Sequence, residues 1–171
     1  LHFGAVDWES EVFINGQSVG IHKGGYDPVT YDITSYLSGS GSQELIVRVY
    51  DPTDAGGFAR GKQTLSPGGI MYTATSGIWQ PVWLEPVPAT SIANLKLVPD
   101  IDNARLTVTV NLTGPTNGMT VRAVARAGTN VVGSVVGAAG AQLLLPVPSP
   151  ALWSPTNPFL YDLTVTLSNG V

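Results

Sequence analysis

The sequence predicts an all-β protein built as two β-sandwiches in series, residues 1–88 and 89–171. Three observations carry this. Apolar residues recur at alternate positions in short runs, which is the period of a strand with one buried face. No segment sustains apolar residues at i, i+3, i+4 and i+7 over the length a helix needs. Twenty glycines and 13 prolines in 171 residues punctuate the ends of the short runs, and a Pro-containing junction, Pro86 to Ala89, separates two blocks.

In the first block, strands are expected near 1–6, 11–15, 17–22, 29–33 and 44–50, then at 70–72 and 78–87. Val12, Phe13 and Ile14 are β-branched or aromatic, and Val19 and Ile21 alternate after them. Asn15-Gly16 between these runs is a strong hairpin signal, because both residues tolerate the positive φ of a type I′ turn. Gly24-Gly25-Tyr26 breaks the second strand, and Asp27-Pro28 starts a turn. Tyr36 and Leu37 are expected to plug into the core. Residues 38–43 (SGSGSQ) read as a flexible connector. Residues 51–69 form a long polar insertion, and loops of that length in compact domains are uncommon and often functional. Trp79 and Trp83, four apart on one expected strand, share a face and are expected in the core. Trp8, just after a strand, is expected in the core or at its rim.

The second block alternates cleanly. Leu106, Val108, Val110 and Leu112 share one face of a strand, with Thr107, Thr109 and Asn111 on the other. Strands at 92–98, 106–112, 119–126, 131–136, 143–147 and 163–167 make six, at the spacing of an immunoglobulin-like sandwich, which has about seven. The turn signal Asn169-Gly170 points toward a seventh. Both ends read as cuts in a longer protein: the chain opens inside a strand-like run and closes on a turn. The open edges at 1–6 and 160–167 are then expected to promote self-association of the fragment.

Composition excludes several classes of function. A net charge of −4 gives no basic footprint, so no nucleic acid partner is expected. No apolar run approaches the roughly 20 residues of a membrane span, so no membrane partner is expected. The absence of cysteine removes disulfides and thiolate metal sites. It leaves the compartment open between periplasmic or secreted and cytoplasmic. His2 and His22 lack the paired spacing of a metal site, so neither metal nor cofactor is expected. Charged residues make up only 12% of the chain, about half the usual share, which leaves faces suited to meeting other protein.

Several separated motifs carry a resemblance across residues 1–88: Ala5-Val6-Asp7-Trp8; Val12-Phe13-Ile14-Asn15-Gly16-Gln17 with Val19-Gly20; Gly24-Gly25-Tyr26; Asp32-Ile33-Thr34 with Tyr36-Leu37; the run from Leu45 to Asp54; Arg60-Gly61-Lys62-Gln63; and the run from Thr75 to Glu85. In this order they resemble the sugar-binding β-domain of glycoside hydrolase family 2, the β-galactosidase, β-mannosidase and β-glucuronidase group. Leu152-Trp153-Ser154-Pro155, with Pro158, Leu160 and Tyr161, resembles a segment of the immunoglobulin-like domain of the same family. The resemblance implies a jelly-roll-like sandwich with upstream strands missing, then an immunoglobulin-like sandwich lacking its last strand. It further implies a parent chain whose separate (β/α)8 barrel holds both catalytic glutamates and acts on a carbohydrate. Retaining hydrolysis needs two carboxylates about 5 Å apart. Most of the twelve acids here, Asp7 included, read as solvated or turn-capping groups at strand ends, so no catalytic residue is assigned.

The loop 51–69 is the leading candidate for function. Asp51, Asp54, Arg60, Lys62 and Gln63 leave a strand end together. Their polar groups suit sugar hydroxyls or a barrel surface, and equally an interdomain salt-bridging loop. The resemblance implies that this loop reaches toward the substrate pocket. Some members of the family carry a pocket carboxylate shortly before the Ser-Gly-Ile motif. Met71 and Tyr72 stand there in this chain, so Tyr72 is the candidate to offer a hydroxyl or a stacking face. Tyr26 and Phe58 are further open candidates for sugar stacking. Three functions remain: a non-catalytic portion of a family 2 hydrolase, a self-standing carbohydrate-binding module, and a structural adhesion-type β-protein.

Overall fold

The computed structural model describes residues 1–169, so the expected Asn169-Gly170 turn lies partly outside the described residues. The fold is nearly all β; the one helical turn among the described residues is a 3-10 turn at Thr34–Tyr36. The chain divides into two compact units, Leu1–Pro86 and a second beginning at Val87.

The first unit is a jelly-roll-like sandwich of short strands. β1 (His2–Phe3), β2 (Val6–Asp7), β3 (Glu9–Ile14), β4 (Gln17–Lys23), β5 (Val29–Thr30) and β6 (Leu45–Tyr50) precede the long loop. β7 (Gln63–Thr64), β8 (Tyr72–Thr73), β9 (Gly77–Ile78) and β10 (Val82–Trp83) follow. The sheets run β4-β3-β6, β10-β1-β5, β2-β9 and the parallel pair β7-β8. Strand β3 shows the alternation that the sequence predicts. Ser10, Val12 and Ile14 point inward. Glu9 and Glu11 face outward, where cross-strand partners neutralise them: Lys23 lies 2.8 Å from Glu9, and Arg48 3.6 Å from Glu11. Leu1, Phe3, Val6, Val12 and Ile14 form the core, with Tyr31 edge-on to Phe3 at 6.3 Å.

The β3–β4 hairpin turns on Asn15 (φ 49°) and Gly16 (φ 79°), both left-handed as a type I′ turn requires. Asn15 does more than turn. Its Nδ2 donates to the Tyr36 carbonyl (3.0 Å) and to Gln43 Oε1 (2.7 Å), and its Oδ1 accepts from the Glu44 backbone N–H (2.9 Å). The hairpin is thereby tied to the 3-10 turn and to the start of β6. Asn15→Ala removes these three bonds and puts a residue with no polar side chain in the left-handed region. It is expected to cost about 2–3 kcal/mol, read as a lowered melting temperature; a melt indistinguishable from wild type would show that the anchor is redundant.

Three expectations are corrected. The runs 1–6 and 78–87 are each two strands, because the chain kinks where they cross. The Gly4 N–H donates to the Pro81 carbonyl at 2.9 Å, and a Cβ on Gly4 would stand 2.7 Å from the Gln80 Cβ. Pro81 itself has no N–H for a ladder. Trp79 and Trp83 therefore flank different strands, and neither is core: they are 52% and 46% exposed. Trp83 stacks on His2 at 4.7 Å. Leu37 is likewise 44% exposed, although Tyr36 does pack on the core. Finally, β1 is not an open edge, since it lies between β10 and β5.

The second unit is an immunoglobulin-like sandwich of six strands. They are β11 (Ser91–Asp100), β12 (Arg105–Thr113), β13 (Thr120–Ala127), β14 (Asn130–Ala138), β15 (Gln142–Pro146) and β16 (Asp162–Ser168). Sheets β11-β12-β15 and β14-β13-β16 face each other. Val108, Val110, Val121, Ala123, Ala125, Leu143, Leu145 and Val147 fill the space between. The sheets come closest where Gly133 meets the Pro146 carbonyl, a position with no room for any side chain.

Candidate functional site

The end of β2 opens onto the largest depression of the first unit. Pairing of Val6 with Ile78 and of Asp7 with Gly77 draws the segment 75–79 alongside Asp7. The resulting open cleft of about 470 Å³ is lined by Asp7, Gly25, Tyr26, Gln63 and residues 75–79.

Asp7 is the chemical centre of the cleft. It is only 9% exposed, yet carries a carboxyl. Its Oδ2 accepts a 3.2 Å hydrogen bond from Gln63 Nε2. Its Oδ1 lies against the backbone of Gly25, where a Cβ would stand 2.6 Å away, so the close approach needs glycine. Burial pushes the Asp7 carboxyl above its ordinary value; the Gln63 donor opposes this, and the nearby charge of Asp51 adds to it.

Gln63 is held in one orientation. Its Oε1 accepts from the Thr75 backbone N–H (2.6 Å) and the Thr75 hydroxyl (3.2 Å). A backbone N–H can only donate, so the amide oxygen must face Thr75 and the NH2 must face Asp7. A second strap runs beside it: Asp51 Oδ2 accepts from the Ser76 hydroxyl at 2.6 Å, while Oδ1 accepts from the Thr53 N–H at 2.7 Å. Replacing Gln63 by alanine removes the one donor that lowers the Asp7 pKa, so that pKa is expected to rise further. An NMR titration of the Asp7 carboxyl carbon measures it; an unchanged midpoint would mean that the 3.2 Å contact carries no weight.

Aromatic residues form the other wall. Trp79 Nε1 donates to the Gly25 carbonyl at 2.7 Å, which fixes the indole while leaving about half of it open. Tyr26 sits edge-on to it at 5.9 Å. Trp8 stacks on Phe58 at 4.6 Å, with Lys23 Nζ 5.5 Å from the Trp8 ring centre.

The long loop is internally braced. Asp54 Oδ2 accepts from the Thr64 hydroxyl (2.7 Å) and the Leu65 N–H (3.0 Å), and these bonds hold its carboxyl below the usual range. Arg60 donates to the Asp54 carbonyl at 2.9 Å. Lys62 Nζ stands 6.0 Å over the Tyr72 ring. Among the described residues, neither Arg60 nor Lys62 enters an ion pair with a carboxylate.

Of the sequence-derived candidates, then, Gln63 lines the cleft and Asp51 braces its rim through Ser76. Asp54 and Arg60 shape the loop that carries Gln63. Lys62 and Tyr72 pair with each other away from the lining. Tyr26 lines the cleft, and Phe58 supports Trp8. Asp7 and Trp79 were not picked out by sequence reasoning. The available signal was an acid inside an apolar strand run, Ala5-Val6-Asp7-Trp8, rather than in a turn. Among the described residues, no three His, Asp or Glu side chains gather as metal ligands.

This is a β-sandwich wall with a fixed acceptor, hydroxyls and two open aromatic rings, a set suited to a polyhydroxylated ligand. Comparison with known proteins places the chain more closely. The family model for glycosyl hydrolases family 2, sugar binding domain, matches residues 1–88, and that for glycosyl hydrolases family 2 matches residues 90–171. The chain belongs to glycosyl hydrolase family 2. It is 29% identical to a β-galactosidase of Thermoanaerobacter pseudethanolicus, over 98% of this chain and 23% of that protein. It is 31% identical to a putative β-glucuronidase of Formosa agariphila, over 98% of this chain and 20% of that protein. The β-glucuronidase structure from Faecalibacterium prausnitzii superposes with a TM-score of 0.71 at 26% identity, over 99% of this chain and 32% of that one. A putative β-galactosidase from Bacteroides fragilis shares the fold, with a TM-score of 0.73 at 20% identity, over 97% and 27% of the two chains. The chain thus spans between a fifth and a third of the length of these relatives.

Proposed function

We propose that this chain is the non-catalytic β-sandwich portion of a family 2 glycoside hydrolase. In this reading residues 1–88 form the sugar-binding domain, and their cleft supplies one wall of the carbohydrate pocket. Residues 89–171 form an immunoglobulin-like domain, and both buttress a catalytic (β/α)8 barrel elsewhere in the parent chain. The observation that carries the reading is the buried Asp7 carboxylate, oriented by Gln63 and faced by a half-open Trp79. Retaining hydrolysis needs a pair of carboxylates with separate acid and nucleophile roles. The cleft instead presents one acid braced by an amide, which suits holding a hydroxyl. Asp51, Asp54, Arg60, Lys62, Gln63 and Tyr72 act as its rim, chiefly by shaping the loop that carries Gln63. Self-association of the isolated chain rests on β16, the edge strand of its sheet, since β1 is paired on both sides.

The test compares two sets of substitutions in the full-length protein. Alanine at Asp54 or Arg60 releases the loop brace, and alanine at Lys62 frees Tyr72. Each is expected to lower kcat/KM for a chromogenic glycoside by about fivefold, the kinetic equivalent of one hydrogen bond of about 1 kcal/mol. Alanine at Asp100 or Asp102, in the β11–β12 turn, is expected to leave it unchanged. Equal effects from both sets would reduce the loop to a spacer.

A further inference from the structure

The two relatives above differ in the sugar their names carry, one a galactoside and one a glucuronide, at nearly equal identity. The cleft itself discriminates between these classes. Resting on the reading that it faces the substrate, we propose that the glycoside bound here is a neutral hexopyranoside, and that Asp7 turns uronides away. An ionised carboxylate only accepts hydrogen bonds. Asp7 Oδ2 takes one from Gln63, and Gln63 has its oxygen committed to Thr75. The Ser76 hydroxyl is committed to Asp51. The cleft therefore offers chiefly acceptor oxygens, and its ligand must bring donors. Sugar hydroxyls are donors, whereas a uronate carboxylate brings only further acceptors and a like charge.

No Lys, Arg or His lines the cleft. The cations of the nearby loop are turned to other work, Arg60 on the Asp54 carbonyl and Lys62 over Tyr72. Asp51 adds a second negative charge behind the rim, close enough to act on Asp7. Trp79, locked through its N–H to Gly25, presents a flat apolar face of the kind the C–H face of a pyranose covers. A neutral hexose meets both walls; a uronate meets the aromatic wall only by placing its charge near two others.

The experiment measures kcat/KM of the full-length protein on nitrophenyl β-galactoside, β-glucoside, β-mannoside and β-glucuronide, for wild type and Asp7→Asn. At least one neutral glycoside is expected to exceed the glucuronide by about tenfold or more. Asp7→Asn, which keeps the shape and removes the charge, is expected to narrow that ratio several-fold. A wild-type preference for the glucuronide, or a ratio untouched by Asp7→Asn while the rates themselves change, overturns the inference and leaves the pocket reading standing. Rates untouched on every substrate would mean that Asp7 does not meet the sugar, and both readings fall; turnover of none of the substrates by wild type has the same consequence. Should Asp7→Asn fail to fold, the wild-type ratio decides alone.

Discussion

Replacing Asp7 by alanine in the full-length protein is expected to reduce kcat/KM for its glycoside by about ten- to a hundredfold, while replacing it by asparagine leaves the fold equally or more stable. The first part follows from a charge-assisted hydrogen bond between the carboxylate and a sugar hydroxyl, worth about 1.5–3 kcal/mol. The second follows from the sign of the pKa shift. Burial raises the Asp7 pKa above its ordinary 3.8, so the folded state holds the proton more tightly than the unfolded chain does. Stability therefore falls as pH rises from 3.8 toward the folded value, and the full cost is present above it. Wild type and Asp7→Asn should melt alike in strong acid and diverge toward neutral pH, with the variant the more stable. A wild type more stable than Asp7→Asn at neutral pH would show that Asp7 is a structural anchor rather than a strained binding group.

Leu145→Ala is expected to cost about 2–5 kcal/mol, and Leu144→Ala less than about 1 kcal/mol. The two residues are chain neighbours on opposite faces of β15. Leu145 is 0% exposed at the centre of the second unit's core, whereas Leu144 is 45% exposed. Truncating the first leaves a cavity between two packed sheets; truncating the second uncovers a surface. For a unit of this size the larger loss lowers the melting transition by roughly 10 °C or more. Similar shifts for both variants would mean that β15 is displaced by one residue in register, since such a slip exchanges its faces.

Most of the fold was legible because its signals are local. The Asn15-Gly16 turn appears where two residues tolerant of positive φ separate two alternating runs. The six strands of the second unit follow from side-chain alternation alone. The breaks at Gly4 and Pro81 were not legible as breaks, because the kink arises where two distant segments cross. The exposure of Trp79 escaped for the same reason: spacing tells which residues share a face only while the strand continues, and here it does not.

By itself the sequence determined that this chain is all β, that it comprises two sandwiches, and that its motifs stand in the order found in family 2. Each of these depends on backbone preference and side-chain period, which neighbouring residues decide. Tertiary structure alone decided where the site lies. Asp7 becomes a buried, oriented acceptor only when β9 pairs with β2, Gly25 closes over one oxygen and Gln63, 56 residues further on, reaches the other. Burial and hydrogen bonding are sums over atoms brought from separate parts of the chain, so a carboxyl that looks in sequence like a solvated strand end becomes, in the fold, the least ordinary acid of the cleft.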